Sequence, residues 1–293
     1  MISKELLAQI KKLQIKTEHM ANEVLSGDYK SAFKGKGLNF ESIREYMIGD
    51  DMRLLDWKVT ARMQSPFIRV YKEERQLNLI LIVDLSASND FGTQALSKKE
   101  MIIELSSVLA ALAIKNNDKV GLALISDQVE KFIPSKQGKA HVFRIIKELY
   151  TFKPKSPKTN LRNCLQKLCK LIPNHSVVFL VSDFIDHNND YDKELKILAQ
   201  TQDLIAISVR DPREFDLPNI GYMELVDPES NKKTLLNLNR KSIRENFAIK
   251  QKQHLENTKN KFKKLGIDFL ELDTGKAYIQ KLLGLFIKRE RRS

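Results

Sequence analysis

Cysteine is nearly absent. The 293 residues contain two, Cys164 and Cys169. Their spacing is neither a Cys-x-x-Cys pair nor that of metal ligands, so a disulfide framework is excluded and a reducing cytoplasm is the expected location. Histidine is also sparse: His19, His141, His175, His187 and His254 are scattered, none forms a His-x-x-x-His pair, and a zinc hydrolase is not indicated. No uncharged apolar stretch approaches the roughly 20 residues that span a bilayer. The opening "MISKELLAQIKKLQIKTEHM" is amphipathic and lacks the continuous apolar core and small-residue cleavage site of a signal peptide. There is no Gly-x-x-x-x-Gly-Lys-Ser/Thr loop, so nucleotide hydrolysis by that route is not expected.

What is present is length, aliphatic character and positive charge. At 42% hydrophobic and 30% charged, the chain can bury one large core, or one plus a smaller unit. The formal net charge of +13 favours an acidic protein surface, nucleic acid or a membrane face as partner, without choosing among them. Residues 240–293 carry 15 Lys/Arg against 6 Asp/Glu, densest in "KNKFKKLG" and "KRERRS". Such runs read first as solvated helix faces, and second as attraction to acidic protein, anionic lipid or RNA. Aromatics are sparse among these lysines, so a base-stacking platform and specific nucleic-acid binding are not indicated.

Periodicity organises the chain. Leu6, Leu7, Ile10, Leu13 and Met20 predict a helix over residues 2–25, and residues 26–75 read as loops and short strands. From residue 77 the pattern alternates. Strands are expected at "LNLILIVD", "DKVGLALIS", "HSVVFLVSD", "DLIAISVRD" and "IDFLELD". Helices are expected at "SKKEMIIELSSVLAALAIKNN", "HVFRIIKELY", "NLRNCLQKLCKLI", "YDKELKILAQTQ", about 240–265, and "AYIQKLLGLFIKRERRS". A polar hairpin region falls near 220–238. This alternation predicts an α/β fold with a doubly wound, mainly parallel sheet. "VEKFIPS" should be an antiparallel edge strand, because only Asp127 and Gln128 separate it from the preceding strand and a parallel return needs a crossover. The expected division is 1–76, an N-terminal helix plus a small irregular/β extension packed on the main domain, and 77–293, the α/β domain with basic C-terminal helices.

The first strand ends in Asp84-Leu85-Ser86-Ala87-Ser88. In an extended loop Asp84, Ser86 and Ser88 point the same way. Asp183 ends a later strand, and sites in such sheets form at the carboxyl ends of strands. Thr159, at the start of a helix, adds a hydroxyl, and Ser156 lies in the same loop. These are hard oxygen ligands with little negative charge, suited to one Mg²⁺ or Mn²⁺ that keeps some water. Taken singly, the same residues read as turn or helix-cap residues.

The Asp-x-Ser-x-Ser string, the downstream Thr and the Asp after "FLVS" resemble the metal-ion-dependent adhesion site of von Willebrand factor A domains. Upstream, "GKGLNFESIREYMIGDDMRLLDWKVTARMQSPFIRVYKEER" followed by "LIVDLSAS" resembles the bacterial family called domain of unknown function 58. The likeness covers roughly residues 10–210. It implies a von Willebrand A-like, Rossmann-type three-layer sandwich. It also implies a non-enzymatic, metal-dependent protein-interaction module, an adaptor or co-chaperone working with a MoxR-type AAA+ ATPase in assembly or maturation of other proteins. The implied metal ligands are Asp84, Ser86, Ser88, Thr159 and Asp183. The implied partner is that ATPase; the positive net charge and a metal position open to an outside carboxylate add an acidic client protein, and peripheral contact with membrane proteins is a further expectation. One departure is Asn89-Asp90 after the second serine, where the family usually has an apolar residue.

Within "IREYMIGDDMRLLDWKVTAR", Asp50, Asp51 and Asp56 lie close to Arg44, Arg53 and Arg62. The segment reads as a salt-bridged turn bent at Gly49 and anchored by Trp57, or else as a second cation site or docking surface. Two other function classes stay open. A Mg²⁺-dependent phosphohydrolase could use Asp84 with Asp183 and Asp186, although Ser86 stands where such enzymes place a second, acid-catalysing aspartate. RNA binding by the basic face is the other.

Overall fold

Leu79, Leu81 and Val83 face one apolar core while Ile80 and Ile82 face a second, so the strand that carries them is covered on both sides. In the computed structural model the described residues are 4–21, 26–33, 39–72, 76–185, 190–229 and 231–292. In chain order the helices are α1 (Lys4–Met20), α2 (Ser26–Ala32), α3 (Trp57–Met63), α4 (Lys98–Lys115), α5 (Lys139–Thr151), α6 (Leu161–Leu171), α7 (Asp192–Thr201), α8 (Lys241–Lys264) and α9 (Tyr278–Glu290). The strands are β1 (Asn39–Glu45), β2 (Phe67–Lys72), β3 (Asn78–Asp84), β4 (Lys119–Ile125), β5 (Val129–Lys136), β6 (Val177–Ser182), β7 (Asp203–Arg210), β8 (Tyr222–Val226), β9 (Lys233–Asn237) and β10 (Asp268–Asp273).

The central sheet has six strands in the order β10-β7-β6-β3-β4-β5. All neighbours are parallel except β4 and β5, which run antiparallel with β5 at the edge. The mainly parallel α/β architecture and the antiparallel edge strand expected at "VEKFIPS" are therefore both observed. Helices α4, α5 and α9 pack on one face, and α6, α7 and α8 on the other. Every β3 residue from Leu79 to Asp84 is buried, each aliphatic side chain contributing about 1.5–3 kcal/mol.

Helix α4 is buried on nearly all sides, because α1 packs over the flank that the sheet leaves open. It starts at a capping box. Ser97 Oγ accepts from Glu100 N at 3.2 Å, and the Glu100 carboxylate accepts from Ser97 N at 2.8 Å. This fixes where the first helical residue, Lys98, points.

Two helices stand in the stretch expected to be loops and short strands. Helix α2 is too short to show a periodic apolar stripe. It is placed by tertiary packing, with Tyr29 edge-on to Phe286 and Phe33 edge-on to Phe179 and Phe286. Helix α3 has no buried residue and is started by its cap, Asp56, whose carboxylate accepts from Lys58 N and Val59 N. The salt-bridged turn is present: Arg44 pairs with Asp50 at 2.7 Å, Arg53 with Asp51 at 2.7 Å, and Gly49 bends the chain at φ +109°. Asp56 pairs with Arg69 at 2.8 Å. Trp57 does not anchor this segment as expected. It is 71% exposed, because it is the first residue of a helix that turns no face inward.

Candidate functional site

The order of the central sheet reverses at β3. The next strand, β4, lies on one side of it and β6 on the other. Crossovers leave the sheet in opposite directions there, and the carboxyl ends of strands at such a point are where open α/β sheets form their binding crevice. Val83 pairs with Val181, so Asp84 stands level with Ser182, and Asp183 lies one residue beyond it at the end of β6.

Asp84 is fully buried. One carboxylate oxygen accepts from Ser86 N at 2.9 Å, closing a tight turn, and the other accepts from the Ser182 hydroxyl at 2.7 Å. The chain then forms a short 3₁₀ turn over Ala87–Asp90 instead of the extended loop expected from alternation. The turn nevertheless brings the hydroxyls of Ser86 and Ser88 to 3.1 Å from each other. Asn89, 1% exposed, donates its amide to Asp84 O at 3.2 Å and Ser86 Oγ at 3.4 Å. Its Oδ1 has no hydrogen-bond partner among the described residues.

Thr159 arrives from the loop before α6. That loop is tied to the serine turn by Ala87 N donating to Pro157 O at 3.1 Å, and to β4 by Asn160 N donating to Ser126 O at 3.1 Å. The cap of α6 is Asn160, not Thr159. The Thr159 hydroxyl donates to Glu229 Oε1 at 2.7 Å. Ser156 Oγ accepts from Lys158 N at 3.3 Å.

Asp183 is fully buried and paired. Lys98 Nζ donates to Asp183 Oδ2 at 2.8 Å and to Glu214 Oε1 at 2.6 Å, while Ile185 N donates to the other Asp183 oxygen at 3.1 Å. The electrostatics of the two acids therefore diverge. Burial, and then the Asp183 charge, push the Asp84 carboxyl up to about 6, against hydrogen bonds from Ser182 and Ser86. Burial also raises Asp183, but the nearby Lys98 and Arg210 charges outweigh it and hold Asp183 below the usual carboxylate range. Arg210 is fully buried, and its Nη1 and Nη2 donors have no hydrogen-bond partner among the described residues.

The donor set fits a small hard cation. Two oxygens bound at right angles to Mg²⁺ at about 2.0–2.1 Å would lie about 3 Å apart. The Ser86 and Ser88 hydroxyls meet that separation at 3.1 Å. Among the described residues no cation pairs with Asp84, and the unpartnered Asn89 Oδ1 adds an acceptor beside Ser86. Among the described residues no three His, Cys, Asp or Glu side chains cluster as a metal site. Hydroxyls would therefore have to complete the set.

A family described as "Protein of unknown function DUF58" matches residues 42–257. The chain belongs to this family. The DUF58 chain is 26% identical over 290 residues to "Uncharacterized protein Rv1480" of Mycobacterium tuberculosis, covering 98% of this chain and 90% of that protein. "Uncharacterized protein YeaD" of Bacillus subtilis is 28% identical over 108 residues, which is 37% of this chain and 25% of that one. Two solved structures match 74% of the DUF58 chain over their full lengths. They are conserved hypothetical protein BatB of Bacteroides thetaiotaomicron (TM-score 0.46, 11% identity) and an aerotolerance-related membrane protein of Bacteroides fragilis (TM-score 0.49, 13% identity).

In the DUF58 chain, Asp84, Ser86 and Ser88 share one turn, and Asp183 stands on the neighbouring strand end. Thr159 sits in a loop tied to that turn, with its hydroxyl committed to Glu229. Four contributors were not singled out from sequence: Ser182, Lys98, Glu214 and Glu229. Ser182 had a signal, since it precedes Asp183 at the end of a buried strand. Lys98 and Glu214 did not, because both lie far along the chain from the acid that joins them. Asp186, which the phosphohydrolase alternative needs, lies outside the described residues. No helix among the described residues is long and apolar enough to cross a membrane. Several basic C-terminal residues are internally paired: Lys259 with Glu271, Lys261 with Asp192, Lys281 with Asp273, and Arg292 with Asp268.

Proposed function

We propose that this DUF58 protein is a metal-ion-dependent protein-interaction module with a von Willebrand A-like domain, not an enzyme. Asp84, Ser86, Ser88 and Thr159 would hold one Mg²⁺ or Mn²⁺, with Asp183 acting by charge or through water. The bound ion would supply an electrophilic centre for a carboxylate of an acidic partner. The observation that carries this reading is the meeting of the Ser86 and Ser88 hydroxyls beside buried Asp84 at the switch point of the sheet. Lys98 is paired with Asp183, so of the groups that would hold the ion directly only Asp84 is a carboxylate, which leaves the ion receptive to an outside acid.

The family resemblance supports the rest of the proposal. The chain would act in the cytoplasm as an adaptor or co-chaperone of a MoxR-type AAA+ ATPase, in assembly or maturation of an acidic client, including proteins at the membrane. The test is affinity capture from lysate by wild type and Asp84→Ala, each with Mg²⁺ and with chelator. An AAA+ ATPase and acidic proteins retained only by wild type in Mg²⁺ support the reading. Identical captured sets in all four conditions contradict it.

A further inference from the structure

The two-stranded sheet of β8 and β9 is separate from the central sheet. An isolated pair of strands is marginally stable in water. One face of it is open, with Tyr222 70% exposed, Val226 48% and Leu235 67%, while Met223, Leu225 and Leu236 on the other face are half-buried. Its tip is nonetheless built with care. The Asp227 carboxylate accepts from Glu229 N at 3.0 Å, Asp227 O accepts from Asn231 N at 2.8 Å, and Asn231 takes a left-handed φ of 55°. The result aims the Glu229 carboxylate at the Thr159 hydroxyl, 2.7 Å away.

We infer that Glu229 is a resident acidic ligand of the crevice, which marks where a partner's carboxylate docks and which that carboxylate must displace. The inference rests on the metal-site reading proposed above. Thr159 is 7% exposed and belongs to the loop tied to the serine turn, so the hairpin tip covers one lip of the site. A carboxylate held there by a charge-assisted hydrogen bond occupies the position that an acidic side chain of another protein would seek. The hairpin is suited to move: it is a two-stranded sheet of its own, open on one face and fully buried at no apolar position of either strand, and such elements open at lower cost than a core strand. A partner therefore binds with an affinity reduced by the fraction of time that Glu229 holds the lip.

The test compares wild type with Glu229→Gln, a substitution that keeps shape and an acceptor but removes the charge. Mg²⁺ binding is measured by calorimetry, and binding of a short poly-glutamate peptide in Mg²⁺ by fluorescence anisotropy. Hydrogen exchange is followed for the amides of residues 222–226 and 233–237. Glu229→Gln is expected to bind the peptide about tenfold more tightly, a difference worth about 1.4 kcal/mol. Saturating peptide is expected to speed exchange of the wild-type hairpin. Mg²⁺ binding by both proteins, with equal peptide affinity or with weaker binding by the variant, overturns this inference alone. Absence of Mg²⁺ binding in both overturns the metal reading and this inference with it.

Discussion

Lys98 Nζ lies 2.8 Å from Asp183 Oδ2, and neither side chain has any solvent exposure. Lys98 is also the first residue of α4, where the helix dipole disfavours a cation. Burial and dipole both oppose its charge. The Asp183 and Glu214 carboxylates oppose them, and they hold the Lys98 ammonium above its ordinary range despite burial. The pair holds one acid of the site in ionised form, whereas Asp84 has no cation paired with it among the described residues.

Lys98→Met removes the cation and strands Asp183 in a dry site. Breaking a buried pair on one side costs about 3–5 kcal/mol. Urea unfolding should show a loss of that order, and added Mg²⁺ should restore more stability to the variant than to wild type. A loss under about 1 kcal/mol would show that the pair is not a buried charge couple.

Gly121 lies in the middle of β4. A Cβ there would meet Ile80 Cδ1 at 2.9 Å and the backbone atoms Ile133 O and Ser135 N at 3.0 Å. The side chain of Ile80 can shift, but the backbone of β5 cannot without disturbing the ladder. Gly121→Ala should therefore cost about 1–3 kcal/mol by overpacking, measured by thermal or urea unfolding. A neutral or stabilising result would mean that β5 is held loosely at the edge.

Asp211 is buried, which raises its carboxyl, but Thr93 N and Oγ, Arg213 N and Thr274 Oγ donate to it and hold it below the usual carboxylate range. The folded form binds its proton less readily than the unfolded chain does. Its contribution is therefore present at neutral pH and lost as pH falls through the depressed folded value. Asp211→Asn should cost about 1–3 kcal/mol at neutral pH, with the difference from wild type shrinking in acid. An equal gap at neutral and acid pH would contradict the assignment.

Cys164 is buried, and burial first, then the Asp84 and Asp127 charges, push its thiol up to about 12. Burial likewise raises Cys169. Thiolate is the reactive form, so iodoacetamide at mildly alkaline pH should label Cys164 only once the protein unfolds, and the half-buried Cys169 sooner than Cys164. Fast labelling of Cys164 in the native protein, read by peptide mass spectrometry, would show that its core opens.

The four inner strands β3, β4, β6 and β7 were legible because each is a short aliphatic run buried on both faces, and the two-residue link from β4 to β5 dictated the antiparallel edge. Helices α2 and α3 were not. The first depends on Phe286 and Phe179, far along the chain, and the second on a cap without an apolar stripe. At the candidate site, Asp84, Ser86 and Ser88 could be read from one string and Asp183 from its strand end. The Ser182 bond to Asp84 and the Lys98 bridge required the sheet register and the capping box of α4. The Thr159–Glu229 contact joins residues 70 apart in sequence, and no local pattern carries it.

The most direct test of the central claim is a calorimetric titration of Mg²⁺ into wild type, Asp84→Ala and Ser88→Ala, each shown by circular dichroism to be folded. Wild type should bind one ion with modest affinity. Asp84→Ala should lose at least tenfold, about 1.4 kcal/mol or more, and Ser88→Ala less than that. Equal Mg²⁺ affinity in all three proteins, or no binding by wild type, would leave Asp84-Leu85-Ser86-Ala87-Ser88 as a turn at the end of a strand and contradict the account.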